Sequence, residues 1–366
     1  MKPGERLAAL EGLRGHAVML VFLTHAFGYL IGKLYAVPDV EHLYVGAAPG
    51  HVLAALAFFF HSNYGVDLFF VLSGLLMADI AVRRWPGTPR FLGRRMLRIY
   101  PPYLLSLVIV AVVVYFTMQR PVALAEGAAN LALLHGFFPL GIHAINPVTW
   151  SLSYEAGFYL AVPVIALAWG ARRPGNLGYR LAFLAALFVA GLSACAMLAA
   201  DRAIYLAYFA LFIPGIAVGM LDEAARASAA RRVPLAAVLA AWAGFTLAVK
   251  TGVLPNTHPA YYAASALACG LLVLKACDAT SVLARILSLP VMRWLGRYSY
   301  SFFLIHYIVV HSWGGVVSAW IGSEARVVYA LAFLGGSLAI SLAAARVLYA
   351  LTERWYFSTR KGAAGG

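Results

Sequence analysis

The chain is poor in charge. Asp, Glu, Lys and Arg make up 11% of its 366 residues, against about 25% in a soluble protein. Too few charged groups remain to coat a water-exposed surface. Cysteine is scarce as well. Cys195, Cys269 and Cys277 fall in or beside apolar runs with no metal or redox spacing, which excludes a disulfide framework and leaves them as small core residues. Strand-type alternation is missing, so an outer-membrane barrel is excluded. No internal repeat, low-complexity linker or soluble domain interrupts the chain. It has no His-Glu-x-x-His helix, no Gly-rich phosphate loop and no Gly-x-Ser-x-Gly elbow, which argues against metal catalysis and serine-hydrolase chemistry. The first apolar segment lacks a clear cleavage site, and Glu11, Arg14 and His16 interrupt its start. It reads as a retained span and not as a cleaved signal.

What is abundant is apolar sequence. Hydrophobic residues make up 63% of the chain and the mean hydropathy is +0.82. Runs long enough to cross a hydrocarbon core recur from end to end. Spans are expected near Ala8–Ile31, Tyr64–Val82, Pro101–Met118, Trp150–Gly170, Leu181–Ala200, Ala203–Leu221, Pro234–Lys250, Pro259–Ala276, Tyr298–Ile321 and Val327–Leu351. The expected fold class is all-α, a polytopic transmembrane helical bundle of about ten spans. Residues 1–366 are expected to form one integral-membrane domain.

Basic residues are distributed asymmetrically over the connections. With those spans, 23 of the 28 fall on one side, and only Lys33, Arg120, Arg202, Lys250 and Arg326 on the other. The positive-inside rule makes the rich side cytoplasmic, so both termini are expected inside, in a membrane crossed many times. The net charge of +14 then reflects this bias and contact with anionic membrane lipids, not nucleic-acid binding.

The most informative stretch runs from Glu11 to His25. His25 stands eleven positions after Arg14, and at about 100° per residue this returns the side chain to within roughly 20° of its starting face. The two share one helical stripe, about 16 Å apart along the axis. In a membrane helix Arg14 sits near one surface and His25 near mid-bilayer, where an ionisable group is costly and marks a functional candidate.

Other candidates follow. Arg95 and Arg98, in the basic inner loop Phe91–Pro102, are one helical turn apart and can address one anion. Arginine suits phosphate through its planar fork, although a basic loop also serves as a topological anchor, the reading that fits Arg83, Arg84 and Arg90. Glu155 is the acidic residue of the fourth expected span. It needs a partner or becomes neutral, and it suits holding a substrate hydroxyl, tuning a histidine or bonding another helix. Asp67, near the outer end of the second span, suits packing or capping. His306 stands in an apolar helix and by itself reads as a satisfied core histidine. Two long outer connections, Gly32–Asn63 and Gln119–Thr149, have the length of functional loops. The histidines in or near the outer loops are assigned no chemistry.

These residues form a recognisable set. The chain resembles the integral-membrane acyltransferase family 3, bacterial O-acyltransferases of surface and secreted glycans. Arg14 and His25 meet the family's pattern of arginine, ten residues and histidine. Arg95 and Arg98 meet its Arg-x-x-Arg element, followed by Tyr100-Pro101. The Gly-Val-Asp-Leu-Phe-Phe-Val-Leu-Ser-Gly block stands at Gly65–Gly74, Trp-Ser-Leu-x-x-Glu at Trp150–Glu155, and Ser-Tyr-x-x-x-Leu-x-His at Ser299–His306. Trp355 replaces the proline of the closing Glu-Arg-Pro, and Glu11 stands where aspartate is commoner. The chain is expected to lack the esterase-like outer domain of some relatives.

The resemblance implies acyl transfer from cytosolic acyl-CoA, by default acetyl-CoA, to a hydroxyl of a glycan or glycosylated small molecule. It implies no tightly bound cofactor and no metal. His25 and Glu155 are the expected catalytic residues, and Arg14, Arg95 and Arg98 the expected acyl-CoA-binding residues. Asp67, Trp150, Ser151, Tyr300 and His306 are candidates for a substrate cavity. The rival class is a proton-coupled secondary transporter or lipid-linked sugar flippase, for which buried His and Glu would serve proton coupling. The absence of an inverted repeat counts against it.

Overall fold

The computed structural model describes residues 3–35, 64–119, 121–137, 144–170, 176–197, 207–321 and 325–356. In chain order the helices are α1 (Pro3–Tyr35), α2 (Tyr64–Arg83), α3 (Thr88–Met118), α4 (Leu124–Leu131), α5 (Trp150–Trp169), α6 (Leu177–Met197), α7 (Phe212–Met220), α8 (Glu223–Arg232), α9 (Leu235–Lys250), α10 (Pro259–Ala276), α11 (Val282–Leu287), α12 (Pro290–Trp320) and α13 (Arg326–Thr352). Single 3₁₀ turns stand at His135–Phe137 and Pro147–Thr149. Among the described residues no strand occurs. The protein is a multi-pass helical membrane protein.

Among the described residues eight helices are long and apolar enough to cross a membrane, or nine if the bent pair Ala207–Met220 and Glu223–Arg232 counts as one span. The expectation of about ten differs for two physical reasons. The segment expected to cross at Ala203–Leu221 bends by 113° after Met220, and α9 has only 16 residues, short of the roughly 20 that a hydrocarbon core requires. The basic stretch expected as an inner loop at Phe91–Pro102 is helical, the first half of α3, with Pro101 and Pro102 inside the helix. Leu, Met and Arg are good helix formers, and a membrane helix tolerates internal proline when neighbours satisfy the released carbonyls. The first long outer connection lies, over residues 36–63, outside the described residues.

The chain forms two compact units. The first comprises Met1–Val21, Glu41–Gly87 and Phe158–Arg297. Its core gathers Leu13, Leu68, Leu72, Leu75, Val273 and Leu287. The α2 and α7 backbones approach closely there. A Cβ on Gly74 would collide with the Phe212 carbonyl, and one on Gly215 with the Val71 carbonyl. Gly215 and Gly219 form a small-x-x-x-small pair that permits this approach. The last carbonyls of α7 have no partner within the helix, and two arginines supply one. Arg226, 1% exposed, donates to the carbonyls of Val218 (3.0 Å), Gly219 (3.1 Å) and Leu221 (2.9 Å) and to Asp79 (3.2 Å). Arg83 donates to the Gly219 carbonyl at 2.8 Å and to Asp79 at 2.6 Å, and Arg84 also pairs with Asp79. Arg83 and Arg84 thus do more than anchor topology, since with Arg226 and Asp79 they hold the bend after α7. The three cysteines are buried thiols of this unit.

The second unit comprises Phe22–Val40, Thr88–Gly157 and Tyr298–Gly366. Polar ties bind its helices. The Tyr300 hydroxyl donates to the Ile99 carbonyl (3.0 Å), Tyr103 to the Asn130 carbonyl (2.8 Å), and Trp313 Nε1 to the Ala332 carbonyl (3.1 Å). Glu353 accepts from Ser301, and both are buried. Large apolar side chains such as Val108, Val112 and Phe116 of α3 and Val328, Leu331 and Val347 of α13 are exposed, as suits faces turned to lipid.

Candidate active site

His25 and His306 meet in the second unit. His25 stands on α1, half-buried, one turn after Phe22. His306 stands on α12, fully buried. Nε2 of His306 lies 3.3 Å from Nδ1 of His25. Nδ1 of His306 lies 2.8 Å from the Phe303 carbonyl and 3.2 Å from that of Phe302. The i+4 spacing on α12 stacks His306 on the Phe302 ring, with centroids 5.8 Å apart and planes within 4°. Phe22 packs edge-on against both rings, 6.4 Å from His306 and 5.7 Å from Phe302. Apolar rings therefore surround His306, and its polar contacts run along its own helix and to His25.

An aromatic file continues from this pair. The Tyr307 ring meets His25 edge-on at 5.2 Å, Tyr307 and His311 lie 4.1 Å apart, and Tyr29 packs edge-on to His311 at 5.3 Å. Tyr307 and His311 line a cavity of about 220 Å³ together with Glu126, Val110, Val122 and Ile145. Buried amides hold its outer wall. Asn146 Nδ2 donates to the Leu304 carbonyl at 2.7 Å, two residues before His306, and Asn130 Oδ1 accepts from the Ile145 amide at 3.0 Å. Thr149 Oγ1 lies 3.1 Å from His135 Nε2. Burial pushes the His135 imidazole below its ordinary value, against the opposing pull of Thr149 and Ala129. Residues 121–137 and 144–149 of the second long connection are thus folded and partly interior.

The other expected site residues occupy distinct settings. Arg95 and Arg98 are half-buried on the first half of α3, with the Arg95 guanidinium 5.4 Å above the Phe91 ring. Glu155 is half-buried on the first turns of α5. Trp150 packs edge-on against Tyr154 at 5.8 Å, and Ser151 is buried beside it. The Tyr300 hydroxyl is engaged in its bond to Ile99. In the first unit, Arg14 is half-buried on α1. Asp67 is buried and accepts from Ser265 (2.5 Å) and Tyr261 (3.2 Å), a polar pin between α2 and α10. Among the described residues no group of three or more His, Cys, Asp or Glu side chains is placed to hold a metal.

Reasoning from the residues alone missed Tyr307, His311 and Glu126. Their only signal was the helical spacing from His306 and the position of Glu126 in a long connection. The pairing of His25 with His306 links residues 281 positions apart, which no local pattern reveals.

The chain is similar to known membrane acyltransferases. The family model described as Acyltransferase domain matches residues 7–346. The acyltransferase MdmB of Streptomyces mycarofaciens is 31% identical over 167 residues, covering 43% of this chain and 39% of MdmB. BcsY of Komagataeibacter xylinus, provisionally named a membrane-bound transacylase, is 30% identical over 208 residues, 53% of this chain and 45% of BcsY. The chain thus spans less than half the length of these curated relatives. No solved structure gives a significant match. The match over nearly the whole chain shows that this protein belongs to the integral-membrane acyltransferase family 3.

Proposed function

We propose that this protein is an O-acyltransferase of the bacterial cytoplasmic membrane. It takes an acyl group from cytosolic acyl-CoA, acetyl-CoA by default, and passes it to a hydroxyl of a glycan or glycosylated small molecule. The observation that carries this reading is a half-buried imidazole, His25, backed by a second imidazole and adjoining the wall of a cavity, on a chain that belongs to an acyltransferase family. The names of MdmB and BcsY, an acyltransferase and a transacylase, point the same way.

In the proposed reaction His25 removes the proton of the acceptor hydroxyl. A neutral imidazole with a pKa near 6.5 suits this task at neutral pH. The acceptor oxygen attacks the thioester carbonyl, the new C–O bond forms, and the C–S bond breaks. The CoA thiolate leaves and takes the proton from the imidazolium, so the histidine returns neutral. Arg95 and Arg98 would hold CoA phosphates through paired hydrogen bonds. The pantetheine arm, on the order of 15–20 Å long, suits a reach from a membrane surface to its middle. Arg14 keeps the acyl-CoA role that its motif implies, and Glu155 would hold the acceptor hydroxyl. The cavity beside Tyr307 and His311 is lined mainly by aliphatic side chains, and Glu126, Tyr307 and His311 are the groups there that could meet a sugar's hydroxyls.

The test uses membranes from cells that express the chain, incubated with acetyl-CoA labelled in the acetyl group. Ester-bound label in the carbohydrate fraction supports the reading. Label that stays wholly on CoA, while a lipid-linked sugar or solute changes sides of the membrane, favours the transporter.

A further inference from the structure

We propose that His306 is a positioning residue that fixes which nitrogen of His25 carries the proton. The inference rests on the reading of His25 as the base. Nδ1 of His306 faces two backbone carbonyls, Phe303 at 2.8 Å and Phe302 at 3.2 Å. A carbonyl oxygen only accepts, so Nδ1 must donate and therefore carries a hydrogen. The ring is fully buried among phenylalanines. Its polar contacts are two neutral carbonyls and a second imidazole. A charged imidazolium there would be buried without a carboxylate, which is costly. His306 is therefore neutral, and its Nε2 has a lone pair and no hydrogen.

The next step follows from the 3.3 Å contact. Nε2 of His306 accepts, so Nδ1 of His25 donates. A neutral His25 has one ring hydrogen, and the contact places it on Nδ1. The lone pair then stands on Nε2 of His25, the nitrogen that takes the hydroxyl proton. When His25 becomes charged, its Nδ1–H bond to His306 becomes charge-assisted and strengthens, and the bond from His306 to the α12 carbonyls polarises with it. A neutral imidazole here does what a carboxylate does for the histidine of a serine protease, whose triad is a general precedent for tautomer control. The second tautomer of His25 would set two lone pairs against each other and present an N–H to the substrate.

The test is nitrogen NMR of the full-length protein in lipid, with ¹⁵N-histidine labelling and the His25 signals assigned by their loss in His25→Gln. Protonated and bare ring nitrogens are well separated in shift. The expected result is a hydrogen on Nδ1 and a bare Nε2 at His25. A hydrogen on Nε2 overturns the inference, whatever the activity. Two variants add function. His306→Leu removes the acceptor and should lower kcat by on the order of 10²-fold, with the KM for acetyl-CoA unchanged and a mixture of tautomers at His25. His306→Gln can set its amide oxygen where Nε2 stands and should restore most of kcat. Equal losses in folded Leu and Gln variants, or an unaltered His25 tautomer in His306→Leu, also overturn it. Failure of the reading of His25 as the base would show differently, as full activity in His25→Ala.

Discussion

Nε2 of His306 stands 3.3 Å from Nδ1 of His25, while Nδ1 of His306 is turned onto its own helix. A buried histidine in an apolar helix is normally satisfied by such a bond to a carbonyl of the preceding turn. His306 has that bond and a second one. The reading of His306 as a satisfied core residue is compatible with the proposal that it serves the site, because the first bond determines the direction of the second.

Asp67 offers a contrast. Its carboxylate accepts from Ser265 and Tyr261 inside the first unit, which makes it a pin between two helices. Asp67→Asn keeps an acceptor oxygen for both hydroxyls and removes a buried charge. Activity in membranes is expected to stay near wild type. A kcat loss on the order of 10²-fold, with the protein still folded, would instead make Asp67 part of the reaction.

Arg95 and Arg98 are expected to act on the donor. Hydrogen bonds to charged groups contribute about 1.5–3 kcal/mol, so Arg95→Ala or Arg98→Ala should raise the KM for acetyl-CoA roughly 10–100-fold and change kcat less. Lysine should rescue poorly, because it lacks the fork. An unchanged KM, read by titrating the donor, would return both residues to the role of topological anchors.

The long motifs were legible because each is local. Arg14, His25, Arg95 and Arg98 stand out as candidates by their spacing on single helices and Glu155 as the acidic residue of its span, and the all-helical membrane class follows from composition. The ends of spans were less legible. Hydropathy treats Pro101 as a start, whereas the helix begins at Thr88, because residues on either side of a membrane surface belong to one hydrogen-bonded rod. The 113° bend after Met220 depends on Arg83, Arg226 and Asp79 meeting from distant segments. The cavity wall of Glu126, Tyr307 and His311 was illegible for the same reason, since it is assembled from α3, α4 and α12 and leaves no mark on any one of them.

The described part of the second long connection, around His135 and Thr149, is expected to weaken in acid. Burial depresses the His135 imidazole in the folded state, while the unfolded connection titrates at the ordinary value near 6.5. The folded form therefore binds fewer protons. This stability is fully present above that ordinary value and is lost as pH falls through the folded value. Thermal unfolding in detergent should show a falling midpoint between about pH 7.5 and about pH 5. The slope should flatten in His135→Asn, and an identical slope in the variant would remove His135 as the cause.

The central claim is that His25 is the base of an acyl transfer. Its most direct measurement is the rate of CoA thiol release, with ester formation counted in parallel, in membranes containing equal amounts of folded wild type and His25→Ala. General-base catalysis supplies about 10²–10⁴-fold. The account predicts that both signals fall by that factor in the variant while acetyl-CoA is still bound with wild-type affinity. Wild-type rates of CoA release and ester formation in His25→Ala would contradict it.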